Sequence, residues 1–289
     1  MKRLFTFGCS HTNWRWHTWA DILGLGYDKY YNFGKWGTGN FRILNQIQRA
    51  NEYFEFTKDD YIAICLSSDF RYDTIDVYND GWIQNGSMVD ERYFYTEHLS
   101  KQLDYIGGYE NTLTCLKGIK SVLDSTEANG RIVSAFGYEL VSNYPKKEYQ
   151  SVMNKLFLEI QKYLHSPISF NTLPTLGNYD SLTYATSGKK GEATKEDGHW
   201  TIPIHLDFVK QHFSDWYDNK YDTQVMNWHN NLPMYSDGKG GMVEYKRDLL
   251  EKHTVEFNGP VLVGRRWNNK WKGFDRIIVE KSKTKTSVI

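Results

Sequence analysis

Tyr61-Ile62-Ala63-Ile64-Cys65-Leu66 is an unbroken apolar run that offers no polar face at either strand or helix spacing. A strand of that composition has to be covered on both sides, the condition of an interior strand in a parallel sheet with helices above and below. A second run, Leu4-Phe5-Thr6-Phe7, begins close to the N-terminus and stops at Gly8, with Cys9, Ser10, His11 and Thr12 directly after it. Glycine tolerates the sharp turn needed there. Ser10 is thereby left at the C-terminal edge of the strand, where open α/β sheets collect their chemistry.

Helical spacing fills the intervals between strands. Trp16, Trp19, Ala20 and Leu23 recur within 14–25 before Gly24 and Gly26, and Ile43, Leu44, Ile47, Ala50 and Phe54 form a stripe. Strands are predicted over 27–33 and 131–136, with a short one at 168–170. A helical region over 96–124 is expected to break near Gly107-Gly108, and Tyr149, Val152, Met153, Leu156, Phe157, Ile160 and Leu164 mark another helix. Residues 72–95 read as a long insertion over the strand ends, and 173–196 as loop. Ile204, Phe208, Val209, Phe213 and Trp216 predict a closing helix, with Thr201 as cap and Pro203 in its first turn. Beyond Tyr217 the composition shifts toward Asn, Gly, Lys and Trp. A helix over 245–252, strands at 261–263 and 277–279, and a basic-aromatic turn from Arg265 to Lys272 are expected there. These divisions predict a main domain over 1–216 and a small α+β accessory module over 217–289.

Lys and Arg total 35 against 35 Asp and Glu, so no global charge argues for a nucleic-acid or anionic-membrane partner. Cys9, Cys65 and Cys115 lie in apolar or helical contexts, which suits small buried residues in a reducing compartment better than a disulfide framework. Neither a signal peptide nor a membrane-length apolar stretch is legible, and a cytoplasmic or virion-associated location is expected. With 21 Tyr, 15 Phe and 10 Trp, part of the aromatic surface is expected to face sugars or partners.

A serine hydroxyl keeps its proton at neutral pH, so Ser10 can act as a nucleophile only beside a base and with donors for the oxyanion that forms. The bland alternative is a serine that caps the following helix. Asp197-Gly198-His199 supplies an acid two residues before an imidazole, with Glu196 as the reserve acid. Gly34, Gly37 and Gly39 cluster before a helix start, where backbone amides and the helix dipole can turn toward a ligand, though their spacing matches no nucleotide fingerprint. The intervals among Cys9, His11, His17, His199 and His205 match no common zinc pattern, so no metal is expected, and a serine nucleophile with a histidine base calls for no organic cofactor. Arg71 stands at the mouth of the presumed cleft, either to hold a substrate or to pair with Asp69 or Asp73.

Taken in order, the strand ending Gly8-Cys9-Ser10-His11, Trp19-Ala20-Asp21-Ile22-Leu23, Asn32-Phe33-Gly34-Lys35-Trp36-Gly37-Thr38-Gly39-Asn40, the apolar strand before Ser67-Ser68 and Arg71, and Asp197-Gly198-His199 resemble the SGNH (GDSL) hydrolase family. The likeness is to its divergent bacteriophage and bacterial carbohydrate-modifying members and spans roughly residues 3 to 216. It implies a three-layer α/β/α sandwich with a flavodoxin-like parallel sheet. It also implies Ser10 as nucleophile, His199 as base, Asp197 as orienting acid, and the amides of Ser10 and Gly37 as oxyanion donors. Ser68 stands where the family carries an oxyanion asparagine, with Asn40 as the other candidate donor. The implied activity is a serine esterase or deacetylase on a carbohydrate ester. Residues 217–289 lie outside the resemblance and are read from composition as an accessory module without an assigned role, attachment to a larger assembly being one candidate. The replaced asparagine favours a rival reading, a glycan-binding or structural scaffold that has lost the chemistry.

Overall fold

The computed structural model describes residues 1–14, 17–35, 37–69, 71, 73–76, 81–83, 105–134, 147–165, 183–184, 195–196, 200, 202–230, 262–268 and 273–278. Strand β1 (Arg3–Phe7) leads into helix α1 (Trp19–Gly24), β2 (Lys29–Asn32), α2 (Asn40–Phe54) and β3 (Asp60–Leu66). After a short hairpin, β4 (Thr74–Asp76) and β5 (Gly81–Ile83), come α3 (Tyr105–Thr126), β6 (Asn129–Ser134) and α4 (Lys147–Gln161). A two-residue ladder, β7 (Thr183–Tyr184) with β8 (Lys195–Glu196), precedes α5 (Ile202–His212) and α6 (Asp222–Asn230). An antiparallel hairpin, β9 (Leu262–Asn268) with β10 (Gly273–Ile278), comes last.

β2, β1, β3 and β6 form one sheet in that order, every pairing parallel, with Phe5 opposite Tyr31 and Ile62, and Ile64 opposite Ile132. Side chains alternate between its two faces. Leu4, Ala63, Cys65 and Val133 pack with Trp19, Leu23, Phe208, Val209 and Phe213 of α1 and α5 and their flank. Phe5, Phe7, Ile62, Ile64, Leu66 and Ile132 pack with Ile43, Ile47, Leu116, Ile119 and Met153 of α2, α3 and α4. This is the three-layer α/β/α arrangement, and it explains why β3 carries no polar face.

α1 and α2 leave the sheet on opposite faces, so the chain reverses direction between β1 and β3. In a doubly wound sheet the crevice opens at that switch point, beyond the C-terminal strand ends. On the α5 side, Arg131 of β6 donates to the His212 carbonyl at 2.9 Å and to both Asp215 carboxylate oxygens at 2.7 and 2.9 Å, with its guanidinium 4.4 Å from the Trp216 ring. A cation on the last carbonyls of a helix opposes the negative end of its dipole.

Several expectations change. α1 begins at Trp19, because Thr18 holds the N-cap position and Gly8 to Asn13 are taken up by the turn after β1. Gly107-Gly108 does not interrupt α3: a Cβ on Gly108 would lie 3.1 Å from the Asp69 carbonyl oxygen, so glycine serves close approach there. The insertion contains the β4–β5 hairpin, and Arg265 to Asn268, read as turn, belong to β9. Much of the aromatic content is core, with Trp19, Trp200, Trp228, Phe5, Phe7, Phe208 and Phe213 all buried. The packed body continues past residue 216, since Tyr217, Val225 and Trp228 join the cluster around Trp19. The cysteines Cys9, Cys65 and Cys115 are free and buried. The strand expected at 168–170, the Thr201 cap and the helix at 245–252 lie outside the described residues. No helix among the described residues is long and apolar enough to cross a membrane.

Candidate functional site

The turn after β1 is shaped by what must fit around Gly8. A Cβ there would stand 2.0 Å from Thr12 Oγ1 and 2.9 Å from the Cys65 carbonyl oxygen, so only glycine lets the chain pass between Thr12 and β3. The amides of Thr12 and Asn13 donate to the Cys9 carbonyl at 2.9 and 3.3 Å and close the turn around Ser10. Thr12 is pinned in turn, its carbonyl accepting from Thr18 Oγ1 at 2.6 Å and from Asn32 Nδ2 at 3.0 Å. The loop after β2 is tied to the same turn through Lys35 N to Gly8 O at 3.1 Å and Asn13 Nδ2 to Gly34 O at 3.0 Å.

Ser10 is 4 % exposed at the C-terminal end of β1. It does not cap α1: Thr18 holds that position, its amide donating to Asp21 Oδ2 at 2.8 Å. Among the described residues nothing hydrogen-bonds the Ser10 side chain or the Gly37 amide. Gly37 sits at φ 65°, inside a turn closed by Thr38 N donating to Lys35 O at 3.3 Å, a conformation that favours glycine.

Asp197 and His199 lie outside the described residues, and of Glu196 the backbone alone is described. The residue after His199 is Trp200, which is buried, and its ring centroid lies 4.7 Å from that of His11, the residue after Ser10. Trp200 also packs on His205 at 5.4 Å and on Phe208 at 5.0 Å, so the start of α5 is fastened against the β1 turn. His205 is fully buried.

On the β3 side, Asn40 Nδ2 donates to the Ser67 carbonyl at 3.1 Å and to Thr112 Oγ1 at 3.0 Å, while its Oδ1 accepts from the Ser67 amide at 2.8 Å. Both of its N–H bonds are therefore engaged with the protein. Asn40 extends the hydrogen bonding of β3 by one residue and holds Ser67, beside the half-buried Ser68. Arg71 donates to Ser67 Oγ at 3.1 Å and to the Thr38 carbonyl at 3.4 Å, bridging β3 to the glycine loop. Thr112 Oγ1 donates to Asp69 Oδ1. Burial pushes the Asp69 carboxyl up to about 7, against the lowering effect of that hydrogen bond.

The positive end of α2 is not open to a ligand. Asp73 accepts from the amides of Gly39 and Arg42, each at 2.8 Å, and so occupies the helix N-terminus from a distant segment. Burial chiefly raises its carboxyl above the ordinary range, opposed by those two bonds and by Arg42 and Arg71. The roles of Thr112 and Asp73 had no local sequence signal, since each partner lies 31 or more positions away. Burial pushes the Cys115 thiol up to about 12, which leaves it inert as a nucleophile. No group of three or more His, Cys, Asp or Glu among the described residues is arranged to hold a metal ion.

No family model matches the chain, and no curated protein matches it. Among solved structures, it is similar to one titled the crystal structure of a member of the lipolytic protein G-D-S-L family from Veillonella parvula DSM 2008. Identity is 12 %, coverage is 74 % of this chain and 99 % of that chain, and the TM-score is 0.38. The fold itself rests on the strand order and the two covered faces of the sheet.

Proposed function

We propose that this chain is a serine ester hydrolase of the SGNH type, acting on small acyl esters such as O-acetyl groups on a carbohydrate. Ser10 Oγ attacks the ester carbonyl while His199 takes its proton, with Asp197 orienting the imidazole. The alcohol leaves with that proton, and a water activated by the same ring cleaves the acyl-enzyme. The amides of Ser10 and Gly37, with Ser68, receive the oxyanion.

The observation that carries this reading is the contact between Trp200 and His11 at 4.7 Å, since these are the residues that follow the proposed base and the proposed nucleophile. Its support also includes the place of Ser10 at the switch point and the absence of a capping role for it. With Ser10 only 4 % exposed, a short acyl group suits the crevice better than a long chain. A catalytically silent glycan-binding scaffold is the second reading, favoured by the serine at position 68 and by the engaged amide of Asn40.

A fluorophosphonate probe with mass-spectrometric mapping separates them. Labelling at Ser10, together with loss of p-nitrophenyl acetate turnover in Ser10→Ala, is the result expected of the hydrolase. Turnover unchanged in Ser10→Ala removes Ser10 from the chemistry, and no labelling alongside retained glycan binding selects the scaffold.

A further inference from the structure

We propose that Thr112, far along the chain on α3, is a positioning residue that sets the geometry of the Ser67-Ser68 turn at the end of β3. The inference rests on the hydrolase reading only for its consequence in turnover. The Thr112 hydroxyl has a single proton. Asn40 Nδ2 can only donate to it, at 3.0 Å, so that proton is directed to Asp69. One hydroxyl thus orients an amide on α2 and a carboxyl after β3, and the amide in turn holds both backbone groups of Ser67.

Thr112 is 1 % exposed, Asn40 3 % and Ser67 0 %, so water does not readily replace a lost partner. The reach depends on α3 lying against the turn. Gly108, one helical turn before Thr112 and on the same face, makes that approach at the Asp69 carbonyl. The proposed oxyanion side of the crevice is therefore fixed from a helix that contributes no reacting group.

The test compares Thr112→Val, which keeps shape and loses the hydroxyl, with Thr112→Ser, which keeps the hydroxyl. Amide hydrogen exchange read by NMR is expected to speed up at Ser67 about tenfold in Thr112→Val and to stay within about threefold in Thr112→Ser. Turnover of p-nitrophenyl acetate is expected to show kcat down about tenfold in Thr112→Val with KM unchanged, and rescued in Thr112→Ser. Should Thr112→Val not fold, Thr112→Ala is read in the same way. Unchanged Ser67 exchange in the valine variant, or equal losses in the valine and serine variants, would overturn the proposal, and so would faster exchange with unchanged kcat in a protein whose turnover depends on Ser10. Failure of the hydrolase reading shows separately, as equal turnover in Ser10→Ala and wild type, and the exchange measurement alone then decides whether Thr112 holds the turn.

Discussion

Replacing Gly8 by alanine tests the packing that shapes the turn around Ser10. The added Cβ would sit 2.0 Å from Thr12 Oγ1, 3.0 Å from Thr12 Cβ and 2.9 Å from the Cys65 carbonyl oxygen. Rotating the Thr12 side chain relieves the first contact only. The Thr12 backbone is held by Thr18 and Asn32, and the Cys65 carbonyl belongs to the central strand β3. Overpacking of this kind costs about 1–3 kcal/mol. At about 2–4 °C per kcal/mol for domains approaching this size, Gly8→Ala should melt about 2–12 °C below wild type. Gly26→Ala is the control, because its Cβ would meet nothing closer than 3.8 Å, and its melting temperature should not move. Adding Thr12→Ala to Gly8→Ala should recover part of the loss and leave the part due to Cys65. Differential scanning calorimetry decides. A Gly8→Ala protein melting within about 1 °C of wild type would refute the account of the turn.

Two further outcomes follow from the same structure. His212 titrates at about 4, held down first by burial and then by the charges of His165 and Arg131, against an ordinary value of 6.5. The unfolded chain therefore takes up the proton first as pH falls. Its contribution is complete above about pH 6.5 and is lost down to about pH 4, at most about 3 kcal/mol, and His212→Phe should flatten that part of a urea-midpoint against pH curve. Asp73→Ala removes the acceptor for Gly39 and Arg42 and should cost about 1 kcal/mol, seen as a lower urea midpoint with unchanged slope.

The difference between legible and hidden features is clearest along β3 and at its end. Ile62, Ala63, Ile64 and Cys65 announce in their own hydropathy that both faces of the strand are covered, and the structure covers them with the two helix layers. At the strand end the hydropathy pattern is silent. Asn40 could be read as a free donor to an oxyanion, yet its amide protons go to Ser67 and Thr112. Arg71 could be read as holding a substrate or as serving structure beside Asp69 or Asp73, and it bridges Thr38 and Ser67 while its charge acts on Asp73. Gly107-Gly108 could be read as a break, and it is a packing surface.

The amino-acid sequence by itself determined the parallel sheet, the burial of its strands on both faces, and the turn that leaves Ser10 at the end of β1. These follow from periodicity and from glycine, properties carried by neighbouring residues. Only the tertiary structure decided that Asp73 closes the N-terminus of α2, that Thr112 joins Asn40 to Asp69, that α6 packs on the sandwich, and that Trp200 rests on His11. A buried polar group must find a partner, but which one it finds depends on the elements that packing brings alongside it, and no local pattern records that choice.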